Sequence, residues 1–79
     1  MAPNKSLDSP TWGDTVIVRK NAPTRYKPGS KGSVCGIRTI ETQEIANQFS
    51  QKIGSELYLI EFANGEALEI PNEFLSTDM

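Results

Sequence analysis

The amino-acid sequence predicts a mainly β fold: a small barrel with one short helix inserted between its second and third strands. Three observations carry this. Residues 58–75 read YLIEFANGEALEIPNEFL, two alternating apolar runs around Asn64-Gly65, which is a strong hairpin signal. Residues 14–20 and 32–40 are two further β-rich segments separated by a Pro/Gly-rich stretch. Residues 41–54 break the alternation, with Ile45, Phe49 and Ile53 recurring at a helical spacing.

Taken in order, residues 1–12 are polar, Pro-punctuated and aperiodic, and read as a flexible lead-in to a domain at 13–79. Trp12 closes the lead-in and is expected to cover the end of the core. In residues 14–20, entered through Gly13-Asp14, Val16 and Val18 share one face, and Thr15, Ile17 and Arg19 the other. Residues 20–30 form a long loop with two prolines and the turn dipeptide Pro28-Gly29. Residues 32–40 are the second strand, with Val34, Ile37 and Ile40 apolar. Gly36 predicts a bulge or bend, and Cys35 reads as an inert buried thiol.

A helix is expected at about 43–51, with Thr42 as N-cap, Glu44 complementing the dipole and Gly54 as the stop. Its expected task is to cover one open end of the barrel. Residues 56–62 form the third strand, with Tyr58, Ile60 and Phe62 on one face and Leu57, Leu59 and Glu61 on the other. Residues 67–70 return with Leu68 and Ile70 inward, until Pro71, which has no N–H for a ladder, ends the run. Residues 72–75 suit one 3₁₀ turn that presses Phe74 and Leu75 on the core.

Length and composition restrict the function. At 79 residues one small core is available, and a single cysteine with no histidine excludes an internal disulfide and disfavours zinc. No cofactor is expected. Cysteine poverty, the lack of an apolar leader and the lack of a run near the ~20 apolar residues of a membrane span predict a cytoplasmic protein. Catalysis is poorly provided for. Histidine is absent, no base stands ready for Cys35 or the serines, and Glu61 and Glu69 belong to the hairpin's outward face. Residues 29–33, Gly-Ser-Lys-Gly-Ser, lack the pattern of a phosphate-binding loop. The chain is therefore read as a non-enzyme.

Net charge is -2 but unevenly spread: residues 1–40 hold seven basic residues against Asp8 and Asp14, and residues 41–79 hold Lys52 against seven glutamates and Asp78. Either these charges pair across strands or the first loop forms a basic patch facing a partner. The loop is where binding is expected. Tyr26 is its aromatic contact, Arg25, Lys27 and Lys31 steer by charge, and Arg19 and Lys20 extend the patch. The same residues also offer phosphate contacts beside one stacking ring, a recipe for single-stranded nucleic acid.

Gly13-Asp14-x-Val16-x-Val18, the long loop, Gly29-x-x-Gly32-x-Val34, the Asn-Gly hairpin after Phe62 and the closing Ile70-Pro71-Asn72-Glu73-Phe74-Leu75 together resemble SH3-like barrels over about residues 13–76. The resemblance implies a five-stranded barrel with a 3₁₀ turn before the last strand. Peptide-binding SH3 domains carry an ALYDY stretch and a Trp pair, both absent here. The Gly29–Val34 element is similar to KOW-type ribosomal and transcription-factor modules, implying RNA or ribosome contact. Phe62 to Gly65 is similar to the hairpin of the ferredoxin-docking subunit of photosynthetic NADH-dehydrogenase-like complexes, implying a basic loop that docks an acidic protein. Plasmid-type dihydrofolate reductase shares the length, but its functional Val-Gln-Ile-Tyr strand is replaced by Leu68-Glu69-Ile70-Pro71. Small bacterial immunity proteins and mobile-cassette products are also similar. The expectation is a bacterial, non-catalytic protein–protein interaction module or accessory subunit, monomeric or weakly self-associating and not bound to membrane. The alternative is a KOW-like RNA-binding module using the same loop.

Overall fold

Inward apolar residues alternate along the strands; the first four strands pair in chain order and the last returns beside the first. The computed structural model describes residues 10–77. Its elements are β1 (Thr15–Val18), a 3₁₀ turn (Thr24–Tyr26), β2 (Lys31–Thr39), α1 (Gln43–Phe49), β3 (Glu56–Phe62), β4 (Ala67–Pro71), a second 3₁₀ turn (Asn72–Phe74) and β5 (Leu75–Ser76). The five antiparallel strands form one sheet in the order β4-β3-β2-β1-β5. Its end strands, β4 and β5, are not hydrogen-bonded to each other, so the sheet is open. The expected lead-in lies largely outside the described residues, which begin at Pro10. Among the described residues no helix is long and apolar enough to cross a membrane.

The period-two pattern builds the main core from Val16, Val18, Val34, Tyr58, Ile60, Phe62, Ile70 and Leu75, joined by Ala22 and Tyr26 from the first loop. Burying these side chains is the main stabilising term for so small a chain. β2 pairs with β1 only at its start and with β3 along its length. Gly32 sits opposite Phe62 in that ladder, and a Cβ there would meet Ile60 Cγ2 at 2.5 Å and the Glu61 carbonyl oxygen at 2.8 Å. Glycine thus permits the close approach of β2 and β3.

The expected bulge is present. Val34 opposes Ile60 and Gly36 opposes Leu59, so Cys35 is the extra residue. This corrects its environment: Cys35 is exposed rather than buried, with its Sγ donating to the Leu59 carbonyl at 3.5 Å. Val34 faces the core, so the residue after it in the alternation faces out, and the bulge shifts the parity only from Gly36 onward.

Helix α1 starts as expected, the Thr42 hydroxyl accepting from Ile45 N–H at 3.2 Å. It stops earlier than the stripe predicts. Ser50 takes the left-handed conformation (φ 56°), its N–H donates to the Asn47 carbonyl, and Gln51 N–H donates to the Ala46 carbonyl at 2.8 Å. That is a Schellman closure made by serine, four residues before Gly54. Ile53 is therefore off the helix and 53% exposed. The helix seals a second cluster of Ile40, Ala46 and Leu57, and Phe49 packs against both clusters.

The β3–β4 turn is a three-residue loop. Phe62 N–H donates to Glu66 O and Gly65 N–H to Phe62 O, and within the turn Gly65 (φ +88°), but not Asn64, has a positive φ. It is a type I turn closed by a left-handed glycine, not the two-residue mirror-image turn that Asn-Gly favours most strongly. Asn64 Oδ1 instead accepts from Glu66 N–H at 3.0 Å.

Candidate functional site

The first loop is folded back on β1. Ala22 N–H bonds to Arg19 O, and the 3₁₀ turn follows. Lys27 then takes a left-handed backbone (φ 61°), and Ser30 N–H donates to Lys27 O across Pro28-Gly29. Proline followed by a positive-φ glycine (+86°) is the requirement of a type II turn. Gly29 N–H to Val18 O and Val18 N–H to Ser30 O, both 2.8 Å, fasten that turn to β1.

Tyr26 does not present its ring to solvent. It is 4% exposed within the main cluster, its centroid 5.8 Å from that of Phe74. The expected aromatic contact is thereby corrected: a small core gains more from enclosing this ring than from leaving it wet. Its surroundings position charge instead. The Arg25 guanidinium lies 4.8 Å over the Tyr26 ring, with Nη2 3.4 Å from the hydroxyl. Arg19 Nε donates to Leu75 O at 3.1 Å, and Arg19 N–H donates to Phe74 O at 2.7 Å. Two exposed arginines are thus tied, each by one edge, to a single Tyr26–Phe74–Leu75 unit. A guanidinium has five N–H donors, so each keeps several directed at solvent.

The other three residues are dispersed in role. Lys20 is exposed next to Arg19. Lys27 is ion-paired with Glu66 of the β3–β4 turn, its Nζ 5.8 Å from the Phe62 ring centroid. The hydrogen bond and charge of Lys27 hold the Glu66 carboxyl below the usual glutamate range. Lys31 projects from the start of β2 on the outer face. With Thr15, Ser33, Glu61, Phe62 and Ala63 it lines a shallow hollow of about 280 Å³. Structure brings together Arg19, Arg25 and Tyr26, with Lys27 neutralised nearby and Lys31 separate.

Long-range ion pairing offsets part of the charge asymmetry. Arg38 bonds Glu69 through Nε at 2.6 Å and Nη2 at 2.8 Å, which raises its already high pKa, and Lys27–Glu66 repeats the theme. Both pairs join the basic half of the chain to the acidic half. Trp12 departs from expectation: it is 63% exposed, held out by a Thr11–Asp14 turn in which Asp14 N–H donates to Thr11 O and Thr11 N–H to Asp14 Oδ2.

A second hollow, about 340 Å³, is lined by Gln51, Gly54, Ser55, Glu56, Asn72 and Glu73. Gln51 Nε2 donates to Glu73 Oε2 at 2.5 Å, and the buried Asn72 Oδ1 has no hydrogen-bond partner among the described residues. Tyr58 donates to Glu56 Oε1 at 3.2 Å. Burial first, then the Glu56 charge, pushes the phenol up to about 12. Among the described residues no three His, Cys, Asp or Glu side chains converge as metal ligands. Compared with protein-family models, curated proteins and solved structures, the chain matches none.

Proposed function

We propose that this chain is a non-catalytic interaction module, or a small accessory subunit, that docks an acidic protein surface through its first loop. One observation carries the reading: Arg19 and Arg25 are exposed side chains anchored on the same Tyr26–Phe74–Leu75 unit, and each guanidinium has more N–H donors than those contacts use. Anchoring removes part of the side-chain entropy lost on binding, and planar guanidinium groups match carboxylates bidentately. Lys20 adds long-range attraction. The burial of Tyr26 takes the stacking ring away from an RNA-binding use of the loop, which favours carboxylates over bases.

The same reading includes the finer architecture: an SH3-like barrel, in which β5 returns beside β1 after the 3₁₀ turn at Asn72–Phe74. The strand order β4-β3-β2-β1-β5 supports it. A cytoplasmic, bacterial setting belongs to the proposal as well.

The test is fluorescence anisotropy with labelled poly-L-glutamate, alongside mobility shifts with a single-stranded RNA oligonucleotide. Docking predicts poly-glutamate binding that falls with salt and is lost in the Arg19→Gln/Arg25→Gln variant. RNA binding with steep salt dependence identifies the KOW-like alternative. Binding to neither overturns the reading.

A further inference from the structure

Lys27 and Glu66 lie far apart in sequence, on two different turns, yet meet in an ion pair. Both turns are locally fixed. Lys27 is held in a left-handed backbone between a 3₁₀ turn and the Pro28-Gly29 turn, and Glu66 is seated by its N–H bond to Asn64 Oδ1. The pair is accessible, the two side chains being 39% and 44% exposed. Its carboxylate rests on a cation of the very loop that carries Arg25.

Resting on the docking reading above, we propose that Glu66 is a built-in competitor: it occupies Lys27 in the free protein and is displaced by a carboxylate of the acidic partner. Lys27 then joins Arg19 and Arg25 as a third contact, so the exchange of one carboxylate for another sets the affinity. Exchange is feasible because an exposed ion pair is held weakly, so a partner that supplies several carboxylates at once can open it. The device also discriminates. A partner with an isolated carboxylate gains nothing at Lys27, whereas one with a cluster of acidic residues gains the third contact.

The experiment titrates labelled poly-L-glutamate into the wild type, Glu66→Gln, Lys27→Gln and the Glu66→Gln/Lys27→Gln double variant. Glu44→Gln, on the exposed face of α1, is the control for net charge alone. Glu66→Gln is expected to bind roughly two- to fivefold more tightly, with a steeper salt dependence than Glu44→Gln. The double variant is expected to lose that gain. Circular dichroism and the urea midpoint establish that each variant is folded. If the wild type binds and Glu66→Gln is no tighter than Glu44→Gln, the competitor role is overturned while docking stands. A gain that persists in the double variant overturns it equally. If no variant binds, the docking reading fails and the competitor role with it.

Discussion

Substituting Gly32 by alanine tests the packing of β2 on β3 directly. The new Cβ meets Ile60 Cγ2 at 2.5 Å, Glu61 O at 2.8 Å and Phe62 Cδ1 at 3.2 Å. Ile60 is wholly buried, and the second atom is backbone, so neither yields without moving β3. Overpacking of this kind costs about 1–3 kcal/mol, and the backbone clash places Gly32→Ala at the upper end. Restricting the unfolded chain returns roughly 0.5–1 kcal/mol, leaving a net loss of about 2 kcal/mol. A chain of this length has a total stability of about 4–12 kcal/mol, so the loss is a large fraction of it. With a urea m-value near ~1 kcal/mol/M, the unfolding midpoint should fall by about 2 M at unchanged slope. Gly36→Ala is the internal comparison. Its Cβ meets only Leu59 side-chain atoms, the nearest at 3.1 Å, and its midpoint should move by less than about 0.5 M. A Gly32→Ala midpoint equal to or above that of Gly36→Ala would refute the reasoning.

Three further outcomes follow from local geometry. Ser50→Gly relieves the left-handed φ of 56° at the end of α1 and should stabilise the protein by about 0.5–1 kcal/mol in urea melts. Thr42→Ala removes the acceptor for Ile45 N–H; a loss of about 1 kcal/mol is expected, with amide exchange in α1 accelerating more than in β3. Tyr58 stays protonated up to about pH 12 in the folded chain, whereas the free phenol ionises at 10.0. Between those values only the unfolded chain gives up its proton, so the stabilisation is complete below pH 10.0 and declines as pH rises toward 12. Tyr58→Phe should therefore lose stability less steeply than the wild type in urea melts across that window, and parallel curves would count against the assignment.

The legibility of this chain divides by the range of the interaction. Residues 56–62 were readable as a strand with its bounds correct, because alternation is a property of adjacent residues. The Thr42 cap, the Pro28-Gly29 turn and the 3₁₀ turn after Pro71 were readable for the same reason: each rests on the conformational limits of one or two residues. The end of α1 was misplaced because glycine is the usual left-handed residue and serine here takes its place. The burial expected of Cys35 rests on residue type, whereas alternation from the inward Val34 already turns it outward, and the bulge changes the parity only of the residues after it.

At the candidate site, the basic character of the first loop was legible from composition, but the state of each residue in it was not. Tyr26 looked like a contact ring because its neighbours in sequence are charged; its neighbours in space include Phe74. Lys27 looked available until the hairpin brought Glu66 to it.

By itself, then, the sequence determined the strand alternation, the start of the helix, the turns and the sign of charge on the first loop, since these depend on chemistry within a few residues. Tertiary structure alone decided the order β4-β3-β2-β1-β5, the burial of Tyr26, the exposure of Trp12, and the pairing of Lys27 with Glu66. Those outcomes depend on which surfaces close over one another when the main core is enclosed. Burial and charge pairing act through space, and no local period encodes which distant residue will arrive.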